Sequence, residues 1–130
     1  MTAFVYRHSG MLLVLWILFI FLLCSTPGHY FPTASWMELF SLDKWVHAGL
    51  FFVLCILCFL LVFKRGQSKA WMLICTAVCI LYGISLEYMQ AHWFSNRSFD
   101  YFDMLANSFG CGMALSMNKV LFRKFSVWAN

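Results

Sequence analysis

A chain of 130 residues with 63% hydrophobic and 11% charged side chains, and a mean hydropathy of +0.79, is too apolar to be a soluble domain of this size. Its net charge of +4 does not point to nucleic acid, because the basic residues flank apolar runs and form no stripe or aromatic-interleaved patch. The composition is that of an integral membrane protein.

Four apolar stretches follow one another, each near the roughly 20 helical residues that cross a bilayer core of about 30 Å. The first covers about residues 9–26 and stops before Pro27-Gly28. It lacks a good cleavage site and is expected to stay as an uncleaved span. The second covers about 45–63 and is closed by Lys64-Arg65-Gly66; the third covers 70–89 and the fourth 103–122. The expected fold is all-α, a single bundle of four transmembrane helices.

Charge sets the expected orientation. Arg7, Lys64, Arg65, Lys69, Lys119, Arg123 and Lys124 lie in the N-terminal segment, the second connection and the C-terminal tail. The first and third connections hold only Lys44 and Arg97. The positive-inside bias then puts both termini in the cytoplasm and the first and third connections outside. Trp36, Trp45, Trp93, Tyr30, Tyr88 and Tyr101 border that outer interface, where amphipathic rings prefer to sit. The six cysteines lie within apolar runs and read as small packing residues.

All five carboxylates, Glu38, Asp43, Glu87, Asp100 and Asp103, fall in or within a turn of the two outward connections. Asp43 and His47 are four apart at the start of the second span, so they share a face. Gly83, Glu87 and Gln90 share a face at the end of the third. Asp100, Asp103, Asn107 and Gly110 do so at the start of the fourth, with Arg97 just before it. If the three faces turn inward they build one pocket at outer-leaflet depth.

Structural roles compete for several of these residues. Asp43 and Asp103 suit helix N-termini, where a carboxylate caps and meets the macrodipole. His47 is either a hydrogen-bonded packing residue or an imidazole oriented by Asp43. Glu87 stands at a helix C-terminus, where a negative charge needs a cation, a metal or a proton; Arg97 or Lys44 is the expected partner. Asn107 and Gly110 also suit close helix packing, and Lys44 suits snorkelling to headgroups.

The ordered set Asp43-Lys44-x-x-His47-x-x-x-Phe51, Glu87-x-x-Gln90 and Arg97-x-x-Asp100-x-x-Asp103-x-x-x-Asn107-x-x-Gly110 resembles the VanZ-like family of small bacterial membrane proteins, across about residues 43–112. The resemblance implies a four-span protein of the bacterial cytoplasmic membrane, in a family linked to teicoplanin resistance.

Two functional expectations follow from the residues. In the first, the chain binds or processes a headgroup-bearing or lipid-linked envelope substrate. His47, oriented by Asp43, would be general base or acid, and Glu87 or Asp103 the second acid/base group or a metal ligand. Lys44 and Arg97 would hold an anionic headgroup, with Gln90, Asp100 and Asn107 completing the substrate contacts. No ligand spacing requires a metal, and no cofactor is named by the sequence. In the second, the cluster is a structural network and the outer loops meet a partner. The expected partners are membrane lipids or a lipid-linked precursor, and no nucleic acid; a homo-oligomer or a membrane-protein partner is compatible with either reading. Transport is disfavoured, because four spans leave little room for alternating access.

Overall fold

The computed structural model describes residues 2–26, 42–66, 68–94 and 99–123. Among these the regular structure is entirely helical, in five α-helices: α1 (Thr2–Arg7), α2 (Ser9–Ser25), α3 (Leu42–Lys64), α4 (Lys69–Trp93) and α5 (Tyr101–Arg123). The last four cover the four apolar stretches. The short α1 is additional; it joins α2 at His8, whose backbone still donates to the Phe4 carbonyl at 3.0 Å.

Two of the helices, α3 and α4, are long and apolar enough to cross a bilayer, at 23 and 25 residues. They span about 35 and 37 Å at 1.5 Å per residue. The other two expected spans do not meet the same measure. Helix α2 has 17 residues, and α5 carries Asp103, Asn107, Asn118 and Lys119 among its apolar positions. On length and apolarity, then, the described residues offer two membrane-crossing helices rather than four.

The turn from α3 into α4 is made possible by Gly66, at φ 60°. That left-handed conformation lets the Gly66 and Arg65 amides close the helix onto the Phe63 and Leu61 carbonyls, at 3.0 and 3.2 Å. Helix α5 starts at Asp100, whose Oδ1 accepts the Phe102 amide at 2.7 Å. Capping therefore falls to Asp100 and not to Asp103, which the sequence had offered for it.

Phe51, Phe59, Leu54, Leu60, Ile20 and Leu86 form the fully buried centre. Helix α3 contributes most of it and packs most extensively on α5. Three side-chain-to-backbone bonds lock α2 to its neighbours. The Trp16 indole donates to Leu50 O at 3.0 Å, the Tyr82 hydroxyl to Ile17 O at 2.9 Å and the Gln90 amide to Cys24 O at 3.1 Å. The periphery is apolar, with Val14, Leu22, Val78, Leu81, Leu105 and Val120 all exposed.

Among the described glycines, the one pressed most closely on a neighbour is Gly110, against Ala48. A Cβ at Gly110 would overlap the Ala48 carbonyl group, whereas one at Gly112 would meet nothing within 4 Å. The expected outcome is that Gly110→Ala destabilises the fold by about 2–3 kcal/mol, because backbone cannot move aside as a side chain can. Gly112→Ala should be neutral or slightly stabilising. Thermal unfolding of both variants in detergent checks the contrast.

Candidate functional site

Close packing at Gly110 and Ala48 brings the first turn of α3 beside the first two turns of α5, and α4 supplies its last two turns. Lys44 is the hub. Its Nζ donates to Asp100 Oδ2 and Asp103 Oδ1, each at 2.6 Å, and to Asp43 Oδ2 at 2.8 Å. All three donors of the ammonium are thereby used on carboxylates. This differs from the expectation that Lys44 would be available to a headgroup. Lys44 also lowers the Asp100 carboxyl below its ordinary value of 3.8, chiefly through the hydrogen bond it makes to it.

His47 lies one turn deeper. Its Nδ1 is 3.2 Å from Asn107 Oδ1, and its Nε2 is 3.7 Å from Asp103 Oδ2. Its partners are thus on α5. The expected Asp43–His47 pair is not formed among the described ion pairs, because Asp43 turns to Lys44 and its side chain is 59% exposed. Asn107, 2% exposed, is held between His47 and Gly83, where a Cβ would crowd the Asn107 amide nitrogen at 3.1 Å.

Glu87 is the floor of the site. It is 1% exposed. Its Oε2 accepts the Asp100 backbone amide at 3.4 Å, while Oε1 is buried without a hydrogen-bond partner among the described residues. Lys44, one of its two expected partners, is committed elsewhere; Arg97, the other, lies outside the described residues, as do Glu38, Tyr30 and Trp36. One imidazole nitrogen and one carboxylate oxygen each from His47, Glu87 and Asp103 lie within 4.8 Å of one another. That set is the one grouping of potential metal ligands among the described residues.

Of the nine residues singled out from the sequence, Lys44, His47, Glu87, Asp100, Asp103 and Asn107 gather at one end of the bundle. Asp43 stands at the rim. Gln90 is buried on the same face of α4 but ties to α2 through Cys24. What the sequence reading missed is the partner choice: the Asp100/Asp103 pair on Lys44, and Asn107 on His47. The i, i+3, i+7 spacing of 100, 103 and 107 carried the face but not the pairing. At the opposite end a cleft of about 250 Å³ between Leu13, Leu61, Val62, Arg65 and Trp71 is mostly apolar and lies away from these groups.

The comparisons with known proteins correct the family expectation. No protein-family model matches the chain. No solved structure matches it. It is 34% identical over 82 residues to an uncharacterized protein of Schizosaccharomyces pombe, a match covering 63% of this chain and 49% of the yeast protein. The chain thus spans about half the length of the relative it matches. The VanZ-like resemblance is not upheld, since no family model supports it and a eukaryotic relative points away from a family confined to bacteria. The short polar motifs that suggested it are ones that helix capping and interhelical packing also favour. The link to teicoplanin resistance rested on that resemblance and falls with it.

Lys44→Met should cost about 1–3 kcal/mol, since three carboxylates lose their common cation in a partly screened setting. The acid limb gives a second readout. Because Asp100 is depressed in the fold, its contribution is complete above its ordinary pKa and is lost as pH falls through the lowered one. Acid titration of the unfolding midpoint should show that loss in the native chain and a weaker one in Lys44→Met.

Proposed function

We propose that the chain is a multi-pass membrane protein, with α2 to α5 all crossing and both termini cytoplasmic, that receives a headgroup-bearing lipid or lipid-linked substrate in the polar cluster at its outward end. The observation that carries this reading is the grading of that cluster. Asp43 and Asp100 stand at an open rim, Asp103 and His47 are 13% and 14% exposed at the side chain, and Glu87 is buried beneath them. A purely structural network gains nothing from a buried carboxylate oxygen at its base that has no partner among the described residues.

Several features support the membrane placement. Trp45, Trp93, Tyr101 and Phe102 are exposed by 65–72% around the polar end, at the level where an aromatic belt would meet headgroups. Lys64, Arg65, Lys69 and Lys119 lie toward the other end. At the polar end three carboxylates hold Lys44 and Glu87 lies below them, four carboxylates to one ammonium among the described residues, which favours a headgroup that donates hydrogen bonds, an amine or a polyol, over a bare phosphate. His47 and Glu87 are the groups suited to move a proton at a bound substrate.

A second reading is favoured by one observation, the saturation of Lys44. An ammonium with all donors on carboxylates is what a structural lock between α3 and α5 would use. Under it the cluster holds the bundle together and a partner protein meets the outer loops.

Binding separates the two. Short-chain phosphatidylethanolamine, phosphatidylglycerol and a glycosyl diacylglycerol are titrated into the detergent-solubilised chain, with indole fluorescence as the readout. At least one should bind, and Glu87→Gln and His47→Ala should weaken it tenfold or more while helix content is retained. Equal binding by both variants removes the substrate reading. For topology, in a background with the six cysteines replaced, an impermeant thiol reagent applied outside should modify Tyr101→Cys but not Ser68→Cys. The opposite pattern inverts the protein.

A further inference from the structure

We infer that His47, Glu87 and Asp103 bind a single divalent transition-metal ion, with Zn²⁺ and Co²⁺ as suitable probes. The inference rests on the same cluster as the proposed substrate site and adds to it the ion that would organise the site. Three helices each give one ligand: His47 from α3, Glu87 from α4 and Asp103 from α5. One potential ligand atom from each lies within 4.8 Å of the other two. Ligands about 2.0–2.2 Å from zinc stand roughly 3.3–3.6 Å apart in a tetrahedral site. The 3.7 Å from His47 Nε2 to Asp103 Oδ2 is already near that spacing.

The tautomer of His47 supplies the first chemical argument. With Nδ1–H donating to the Asn107 carbonyl oxygen at 3.2 Å, the lone pair of the neutral ring is on Nε2 and faces Asp103. A lone pair facing a carboxylate oxygen is repulsive unless a proton or a metal ion lies between them. A carbonyl that accepts from the other ring nitrogen is also the usual support behind a metal-bound imidazole. Glu87 supplies the second, independent argument. It is 1% exposed, and its Oε1 has no hydrogen-bond partner among the described residues. That oxygen belongs to a residue whose carboxylate reaches the His47 and Asp103 ligand atoms.

Charge argues the same way. Asp43, Asp100 and Asp103 surround Lys44, and Glu87 lies below them, so one ammonium faces four carboxylates among the described residues. Lys44 occupies Asp103 Oδ1 at 2.6 Å and leaves Oδ2 for the ion. One nitrogen and two carboxylate ligands suit Zn²⁺, Co²⁺ or Mn²⁺. The three would leave a position open toward the rim, where a water or a substrate headgroup oxygen could coordinate.

The test uses the full-length chain in lipid nanodiscs, with any purification tag removed and metal stripped by chelator. Competition with a chelating dye should show one Zn²⁺ per chain. Glu87→Gln and Asp103→Asn should each weaken it about 100-fold, and Asn107→Ala about tenfold. Co²⁺ should give d–d bands without a sulfur-to-metal charge-transfer band. Three results overturn the site: no stoichiometric ion on the native chain, affinity unchanged in both carboxylate variants, or a thiolate band placing the ion on the cysteines. Zinc binding without lipid binding leaves the metal site standing and removes the substrate reading. Lipid binding that is indifferent to chelation, in a chain that takes no zinc, does the reverse.

Discussion

The polar end of this molecule depends on one backbone contact, the approach of α5 to α3 at Gly110 and Ala48. With no side chain at Gly110 the two helices approach until glycine meets carbonyl. The turns toward the polar end then come together: Lys44 hydrogen-bonds Asp100 and Asp103, and His47 lies 3.2 Å from Asn107 and 3.7 Å from Asp103. In a setting where apolar burial does not distinguish helix from lipid, small-residue contact and interhelical polar bonds are the interactions that choose partners. The two occur together here.

Helix α4 enters by a different route. Its link to α2 is made by Tyr82 and Gln90, whose side chains bond carbonyls of α2, and its link to the site by Glu87. Gly83 is again the permissive position, with Phe51 and Asn107 filling the space a side chain would need. Gln90 thus serves the bundle and Glu87 serves the cluster, although they lie three residues apart on one helix face. The buried amide is thus satisfied, while one oxygen of the carboxylate has no partner among the described residues.

Much of this was readable before any coordinates. The apolar runs marked the four long helices, and the polar faces at 43–47, 83–90 and 100–110 marked the end where the site lies. Three things were not readable. Membrane-crossing capacity depends on length and purity, and α2 and α5 fall short of the measure that α3 and α4 meet, although all four looked alike as apolar stretches. Side-chain partners across helices depend on rotation about each axis, which spacing along one helix cannot fix; hence the pairing of Lys44 with Asp100 and Asp103, and of His47 with Asn107, was not legible. The His47, Glu87 and Asp103 set carries no spacing motif at all, since each ligand comes from a different helix. The family resemblance did not hold, because residues favoured by capping and packing recur in unrelated helical proteins.

Lys44 and Asp103, 59 residues apart, meet as a coupled pair at the α3–α5 contact. A double-mutant cycle on unfolding in detergent, with Lys44→Met, Asp103→Asn and the combined variant, measures that coupling directly. A favourable coupling of about 1–3 kcal/mol is predicted for a contacting charged pair in a shared network. Strict additivity of the two substitutions would mean that the pair does not form and that the cluster built around it does not exist.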